Sequence, residues 1–182
     1  MSLSITLGKS VLELIQGDIT EQDTDAVVNA ANSGLMGGGG VDGAIHKAAG
    51  PGLKEECKRI VASQGRLPPG QAVITSAGRM KAKHVIHTVG PIYSGAPKDP
   101  YILADCYKNS LALAEKQSLQ SVAFPSISTG AYRYPLNEAA PVALSAVADF
   151  LRQNATTLRL VRFVLYSEQA YAAYEQAAKA LS

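Results

Sequence analysis

Thiols are scarce in this 182-residue chain: Cys57 and Cys106 are its only two cysteines. They stand far apart, with no CxxC pair and no Cys/His cluster at zinc spacing, which argues against a metal site and leaves two structural free thiols. Charge of one sign is scarce as well: a formal net charge of +2 and a charged fraction of 18% give neither a basic stripe nor an acidic tail. An electrostatic grip on a nucleic-acid backbone is therefore not expected, whereas a compact anionic ligand is compatible. No apolar run approaches the length of a membrane span, and Met1-Ser2-Leu3-Ser4-Ile5-Thr6 lacks the basic-then-apolar pattern of an export signal. The expectation is a cytoplasmic protein with no membrane partner. What is present is a 47% hydrophobic composition, enough for a sizeable core, and a single domain over residues 1–182 is expected.

Residues 3–7 and 11–15 flank Gly8-Lys9-Ser10 and read as an opening β-hairpin. That Gly-Lys-Ser imitates the end of a P-loop, but position 3 is Leu where the motif needs glycine, so it reads as a turn. Residues 25–29 form a short buried-strand run, followed by a glycine loop and helical patterns over residues 41–49 and 53–63. Strands are expected at residues 72–75, 84–89, 121–124 and 158–166. Asp99-Pro100 reads as an N-cap and first-turn pair ahead of Leu103, Tyr107, Leu111 and Ala114. Pro135 opens a helix with Ala140, Leu144, Val147 and Leu151 on one face, and Ser167 caps a last helix carrying Tyr171, Tyr174, Ala178 and Leu181. Two strands followed by strands alternating with helices predict an α/β fold: a mostly parallel sheet covered on both faces, with the opening hairpin at an edge. Ligands of such sheets sit beyond the carboxyl ends of the strands, which is where the two unusual loops fall.

The first of these loops puts two amides, four consecutive glycines, a carboxylate and a histidine between Asn29 and His46. Four glycines cost backbone entropy and bury almost no area, so a bound phosphate is the simplest reason for them. Their successive N–H groups, reinforced by the helix that follows, form an anion-binding concavity. Gly38-Gly39-Gly40-Val41-Asp42-Gly43 formally satisfies G-x-G-x-x-G, yet about eight residues separate it from Asn29, and Asp42 would repel a pyrophosphate placed there. A nicotinamide-dependent oxidoreductase is the minor reading of that match. Asp42 makes better sense acting on a water, and His46, four residues on, projects from about the same helix face. Asn32, in the mouth of the loop, suits a pair of sugar hydroxyls, while Asn29 reads as a turn amide. Ser128, Thr129 and Gly130 resemble a second phosphate cradle ahead of another helix, and no G-x-S-x-G elbow marks Ser128 as a nucleophile. Tyr132 can pack on a ribose, Tyr166 can stack on a base, and Asp18 can accept from an exocyclic amine or serve as a cap. His84 and His87, within an apolar strand, read as packing or backbone-bonded residues.

These residues carry a resemblance. Gly17-Asp18-Ile19-Thr20, Asn29-Ala30-Ala31-Asn32, the run from Gly37 to His46, Val85-Ile86-His87-Thr88-Val89-Gly90-Pro91 and Ser128-Thr129-Gly130-Ala131-Tyr132 resemble, in order, the motifs of the macrodomain family and its MacroD-type branch. The resemblance implies a three-layer α/β/α macrodomain with a central mostly parallel mixed sheet that binds ADP-ribose. It implies that Asp18 holds the adenine amino group, that Ile19 offers a backbone N–H, and that Tyr166 packs on adenine. Gly38, Gly39, Gly40 and Val41, with Ser128, Thr129, Gly130, Ala131 and Tyr132, would embrace the diphosphate, and Asn32 would bind the distal ribose. MacroD-type proteins remove ADP-ribose from acidic side chains of mono-ADP-ribosylated proteins and deacetylate O-acetyl-ADP-ribose. Asp42 would then orient or activate a water, with Asn32 and His46 positioning the ribose, and neither metal nor redox cofactor is needed. A reader of ADP-ribose that does not turn over is the alternative. Arg133 departs from the family pattern, which often has glycine there, so it stiffens the second loop or adds a cation near the diphosphate or the entrance. Leu67-Pro68-Pro69-Gly70 and Tyr166-Ser167-Glu168-Gln169 depart as well, without touching anything assigned to catalysis.

Overall fold

The computed structural model describes residues 1–181. Strand β1 (Ser2–Leu7) turns at Gly8 into β2 (Ser10–Gln16) as the predicted hairpin, with Ser2 opposite Ile15 and Leu7 opposite Ser10. The chain then builds β3 (Ala26–Ala30), α1 (Gly40–Ala49), α2 (Pro51–Gln64), β4 (Ala72–Ser76), β5 (His84–Thr88), α3 (Asp99–Lys116), β6 (Ser121–Phe124), α4 (Leu136–Gln153), β7 (Leu160–Leu165) and α5 (Glu168–Ala178). The strands form one seven-stranded sheet in the order β1-β2-β7-β6-β3-β5-β4. Its centre is parallel, and both edges are antiparallel: β1 against β2, as expected, and β4 against β5, an orientation that periodicity does not encode.

Helices α1 and α2 cover one face through Ile45, Ala49, Leu53 and Cys57, packed on Val27 and Val85. Helices α3, α4 and α5 cover the other, where Tyr107, Leu144, Val147 and Tyr174 meet Val28, Ile86, Phe124 and Phe163. The alternation of Val27 and Val28 between the two clusters is the period-2 signature of a strand buried on both sides. Both cysteines are buried free thiols. Ser167 caps α5 as read from the sequence, its Oγ accepting from Ala170 N at 3.1 Å. Asp99 does not cap α3. Its buried carboxylate turns back to accept from Ser94 N at 2.8 Å and Gly95 N at 3.0 Å, tying down the loop before the helix.

From β3 the chain moves toward the β4 edge, whereas from β6 it moves the other way to β7. A crevice is expected where neighbouring strands part company in this manner. The ladder between β3 and β6 comprises Ala26 with Val122 and Val27 with Ala123, so the two strands separate before their carboxyl ends.

Candidate active site

In that gap lies a cavity of roughly 360 Å³. Its walls are the end of β3 with the glycine loop (Ala30, Ala31, Asn32, Gly38, Gly39, Gly40, Val41, Asp42) and the loop after β6 (Ser126, Ser128, Gly130, Ala131, Tyr132), with Gly90 between them. The two loops singled out from sequence thus face each other. Gly39 is the N-cap of α1, so the free N–H groups of the helix's first turn and the positive end of its dipole open onto this cavity. Two glycines are set by close approach. A Cβ on Gly43 would strike the carbonyl oxygen of Gly38, which folds back over α1, and a Cβ on Gly90 would strike Ser128 Oγ.

Asp42 lies in the first turn of α1 and is 7% exposed. Its Oδ1 accepts a 2.7 Å hydrogen bond from Asn29 Nδ2. His46 Nε2 stands 3.5 Å from the same oxygen but is too poorly aligned to hydrogen-bond. Gly38 passes between the carboxylate and Asn32: a Cβ there would lie 3.6 Å from Asp42 Oδ2 and 3.9 Å from Asn32 Nδ2. Asn32 holds the loop in shape, donating to Gly37 O at 2.9 Å while its Oδ1 accepts from Met36 N at 3.3 Å.

Other expected site residues lie outside this cavity lining. His46 sits behind Asp42, its ring against Gly37. Thr129 turns its hydroxyl to Ser126 O and Ser126 Oγ at 3.1 and 2.9 Å. Asp18 caps a single 3-10 turn, accepting from Thr20 N at 2.9 Å and Thr20 Oγ1 at 2.7 Å, and Ile19 is buried beneath it. Tyr166 is 83% exposed just past β7. Because Gln16 pairs with Leu165, Asp18 and Tyr166 follow neighbouring strand ends.

Several side chains that shape the site were not read as doing so. Asn29 is no turn amide: it is wholly buried in β3 and grips Asp42. His87 is wholly buried too, and its ring meets side chains rather than backbone, with Nδ1 at 3.1 Å from Asn29 Nδ2 and Nε2 at 3.0 Å from Thr75 Oγ1. Burial, with the charge of His46 second, lowers its pKa to about 3 and keeps the imidazole neutral. Burial, with the charges of Asp42 and Glu56, raises the Cys57 thiol to about 11, which makes it inert. The second loop is anchored from below by two tyrosines that looked like ordinary core residues. Tyr107 Oη accepts from Ile127 N at 3.0 Å, and Tyr174 Oη meets Ser126 Oγ at 2.9 Å. From above, Ser128 Oγ donates to Pro91 O at 2.8 Å. Ser128 and Arg133 hold φ at +69° and +61°, left-handed values rare outside glycine. Among the described residues no three His, Cys, Asp or Glu side chains gather as a metal site would need, and no helix is long and apolar enough to cross a membrane.

Residues 28–143 match the family model described as "Macro domain". The chain is 52% identical over 166 residues to a Cronobacter turicensis protein named O-acetyl-ADP-ribose deacetylase, covering 91% of this chain and 94% of that one. Among solved structures it is similar to the Oceanobacillus iheyensis macrodomain with ADP, at TM-score 0.95 and 44% identity, over 100% of this chain and 96% of the other. It is also similar to the Trypanosoma brucei macrodomain in complex with ADP-ribose, at TM-score 0.84 and 39% identity, over 92% and 68% respectively.

Proposed function

This chain belongs to the macrodomain family, and from that premise we propose that it binds ADP-ribose in the β3–β6 crevice and hydrolyses acyl esters of it. The substrates are O-acetyl-ADP-ribose and acidic side chains carrying mono-ADP-ribose. The observation that carries the reading is Asp42: a carboxylate at the floor of a crevice walled by backbone donors, with one oxygen bound from behind by Asn29 and the other beside Gly38 and Asn32. A pure anion cradle gains nothing from a negative charge at that point.

In this reading the diphosphate lies between the glycine loop and the loop from Ser128 to Tyr132. The free N–H groups at the start of α1 supply the donors on the glycine side. Adenine rests where the ends of β2 and β7 emerge side by side, with its amino group toward Asp18 and its face on Tyr166. The distal ribose then reaches Asn32, and the ester falls beside Asp42. Asp42 Oδ2 orients a water and takes its proton as the oxygen attacks the acyl carbon. The ester bond breaks as that proton passes to the departing ribose oxygen, leaving ADP-ribose with a free hydroxyl and a carboxylic acid that ionises to solvent. His46 supports the wall from behind through Gly37 and Asp42.

Calorimetry with ADP-ribose and a chromatographic assay of O-acetyl-ADP-ribose cleavage test this together. The wild type should bind ADP-ribose and release it from the ester, and Asp42→Ala should still bind while losing about 10²-fold or more in rate, the range of general-base help. Equal rates in both proteins would remove Asp42 from the mechanism. Binding without turnover by the wild type would make the protein a reader, and absence of binding at millimolar ADP-ribose would end both readings.

A further inference from the structure

The proposed reaction needs Asp42 to present one oxygen to the crevice in a fixed direction, and the sheet behind it is built to do this. Asn29 and His87 are register partners on β3 and β5, and Thr75 stands diagonally next on β4. Asn29 and His87 are wholly buried, and Thr75 is 4% exposed.

The shortest contacts along this line assign its protons, with Cys57 Sγ at 3.9 Å from His87 Nε2 and Val85 O at 3.5 Å from Thr75 Oγ1 as the longer alternatives. Asn29 Nδ2 has two hydrogens and two acceptors, Asp42 Oδ1 at 2.7 Å and His87 Nδ1 at 3.1 Å. An amide nitrogen only donates, so His87 Nδ1 is the bare nitrogen and Nε2 carries the hydrogen of the neutral ring. Nε2 then donates to Thr75 Oγ1 at 3.0 Å, and Thr75 passes its own hydrogen to Ser76 O at 2.9 Å. The depressed pKa of His87 keeps the ring in that state throughout the neutral range.

The arrangement is not explained by stability. Asn29 Oδ1 is buried with no hydrogen-bond partner among the described residues, a desolvation cost that an apolar residue would avoid. With both amide hydrogens committed, the side chain cannot flip without placing oxygen against carboxylate.

We propose that Thr75, His87 and Asn29 are positioning residues that act in series to lock Asp42 Oδ1, leaving Oδ2 turned to the crevice for the attacking water. The inference rests on the reading of Asp42 as the group that acts on water. None of the three lines the crevice; they work through the carboxylate.

The test compares kcat for O-acetyl-ADP-ribose and Kd for ADP-ribose in the wild type, Asp42→Ala, Asn29→Ala, His87→Leu, His87→Asn, Thr75→Val and the Asn29→Ala/His87→Leu double variant. Asn29→Ala should lower kcat by about 10²-fold, the scale of a misplaced catalytic group, with Kd within about threefold of wild type. His87→Leu keeps volume but removes the acceptor and should lower kcat by about tenfold. His87→Asn returns an acceptor near the Nδ1 position and should recover part of that loss. The double variant should be no slower than Asn29→Ala alone, because groups acting in series are not additive. Thr75→Val, the mildest change, should cost a few-fold in kcat alone, and it decides the matter if the others do not fold. Unchanged kcat in Thr75→Val and Asn29→Ala beside a slow Asp42→Ala would overturn the series while leaving the proposed function standing. Wild-type rates in Asp42→Ala would overturn both.

Discussion

Arg133 holds a backbone angle that its side chain disfavours, φ +61°, between Tyr132 and the second-loop residue Tyr134, whose N–H donates to Ser128 O at 2.9 Å. The family's frequent glycine at this position has its physical reason here, since only glycine adopts the left-handed region without a Cβ clash. The sequence offers two roles for Arg133, an added cation and a stiffer loop; the left-handed backbone adds a strain that belongs to neither. Arg133→Gly should therefore stabilise the protein despite adding freedom to the unfolded chain, netting roughly 0.5–1 kcal/mol. In a chain of this length that is a rise in melting temperature of about 2 °C. Arg133→Ala loses the same side chain but keeps the strain, so calorimetric melts of the two variants separate backbone from charge. Equal melting temperatures for Gly and Ala would refute the strain argument.

At the scale of elements, the second loop is held by bonds from α3 and α5 as well as by bonds within it. Tyr107 reaches from α3 to accept Ile127 N, in a cluster with Phe124 and Phe163 at ring-centroid distances of 5.0 and 5.6 Å. Tyr107→Phe keeps the packing and deletes the acceptor, leaving a buried N–H without a partner at a cost of about 1–3 kcal/mol. The loop should loosen, and the Kd for ADP-ribose should rise several-fold in calorimetry; an unchanged Kd would show that its other bonds, Ser126–Tyr174 and Ser128–Pro91 among them, hold it without Tyr107. The tyrosines were legible only as members of apolar helical faces, because a hydroxyl at the tip of a core side chain leaves no mark in a period of 3.6. The elements themselves were legible where a short-range signal exists: the Gly8 turn, the 121–124 run and the Ser167 cap each match the structure. Asp99 misled because a carboxylate before proline is the same pattern whether it caps the helix ahead or ties the loop behind.

Across the whole molecule, acid stability depends on groups that share no sequence neighbourhood. His87 is neutral in the fold with its pKa lowered from 6.5 to about 3. Between those values the unfolded chain binds the extra proton, so this contribution is complete above pH 6.5 and is lost as pH falls toward 3, at up to about 1.4 kcal/mol per unit. Glu115 is pushed up by burial, but hydrogen bonds from Thr156 Oγ1 and the Leu158, Thr157 and Thr156 backbone outweigh this and lower its pKa from 4.5 to about 2. Its contribution is present above pH 4.5 and lost as pH falls through about 2. Urea midpoints should thus decline from pH 6.5 and fall more steeply below 4.5. Glu115→Gln should remove only the added steepness below pH 4.5, whereas His87→Asn should remove the decline that runs from 6.5 down to about 3; a profile flat from pH 6.5 to 4.5 in the wild type would contradict the buried neutral imidazole. The sequence alone determined the alternation of strands and helices, the two loops at strand ends and the carboxylate among glycines, because turns, caps and periodicity act over a few residues. Only the tertiary structure decided that Asn29 lies beside His87, that β4 runs antiparallel and that β3 and β6 part to open the crevice, because strand register joins residues far apart in the chain, and no local pattern records which of them will meet.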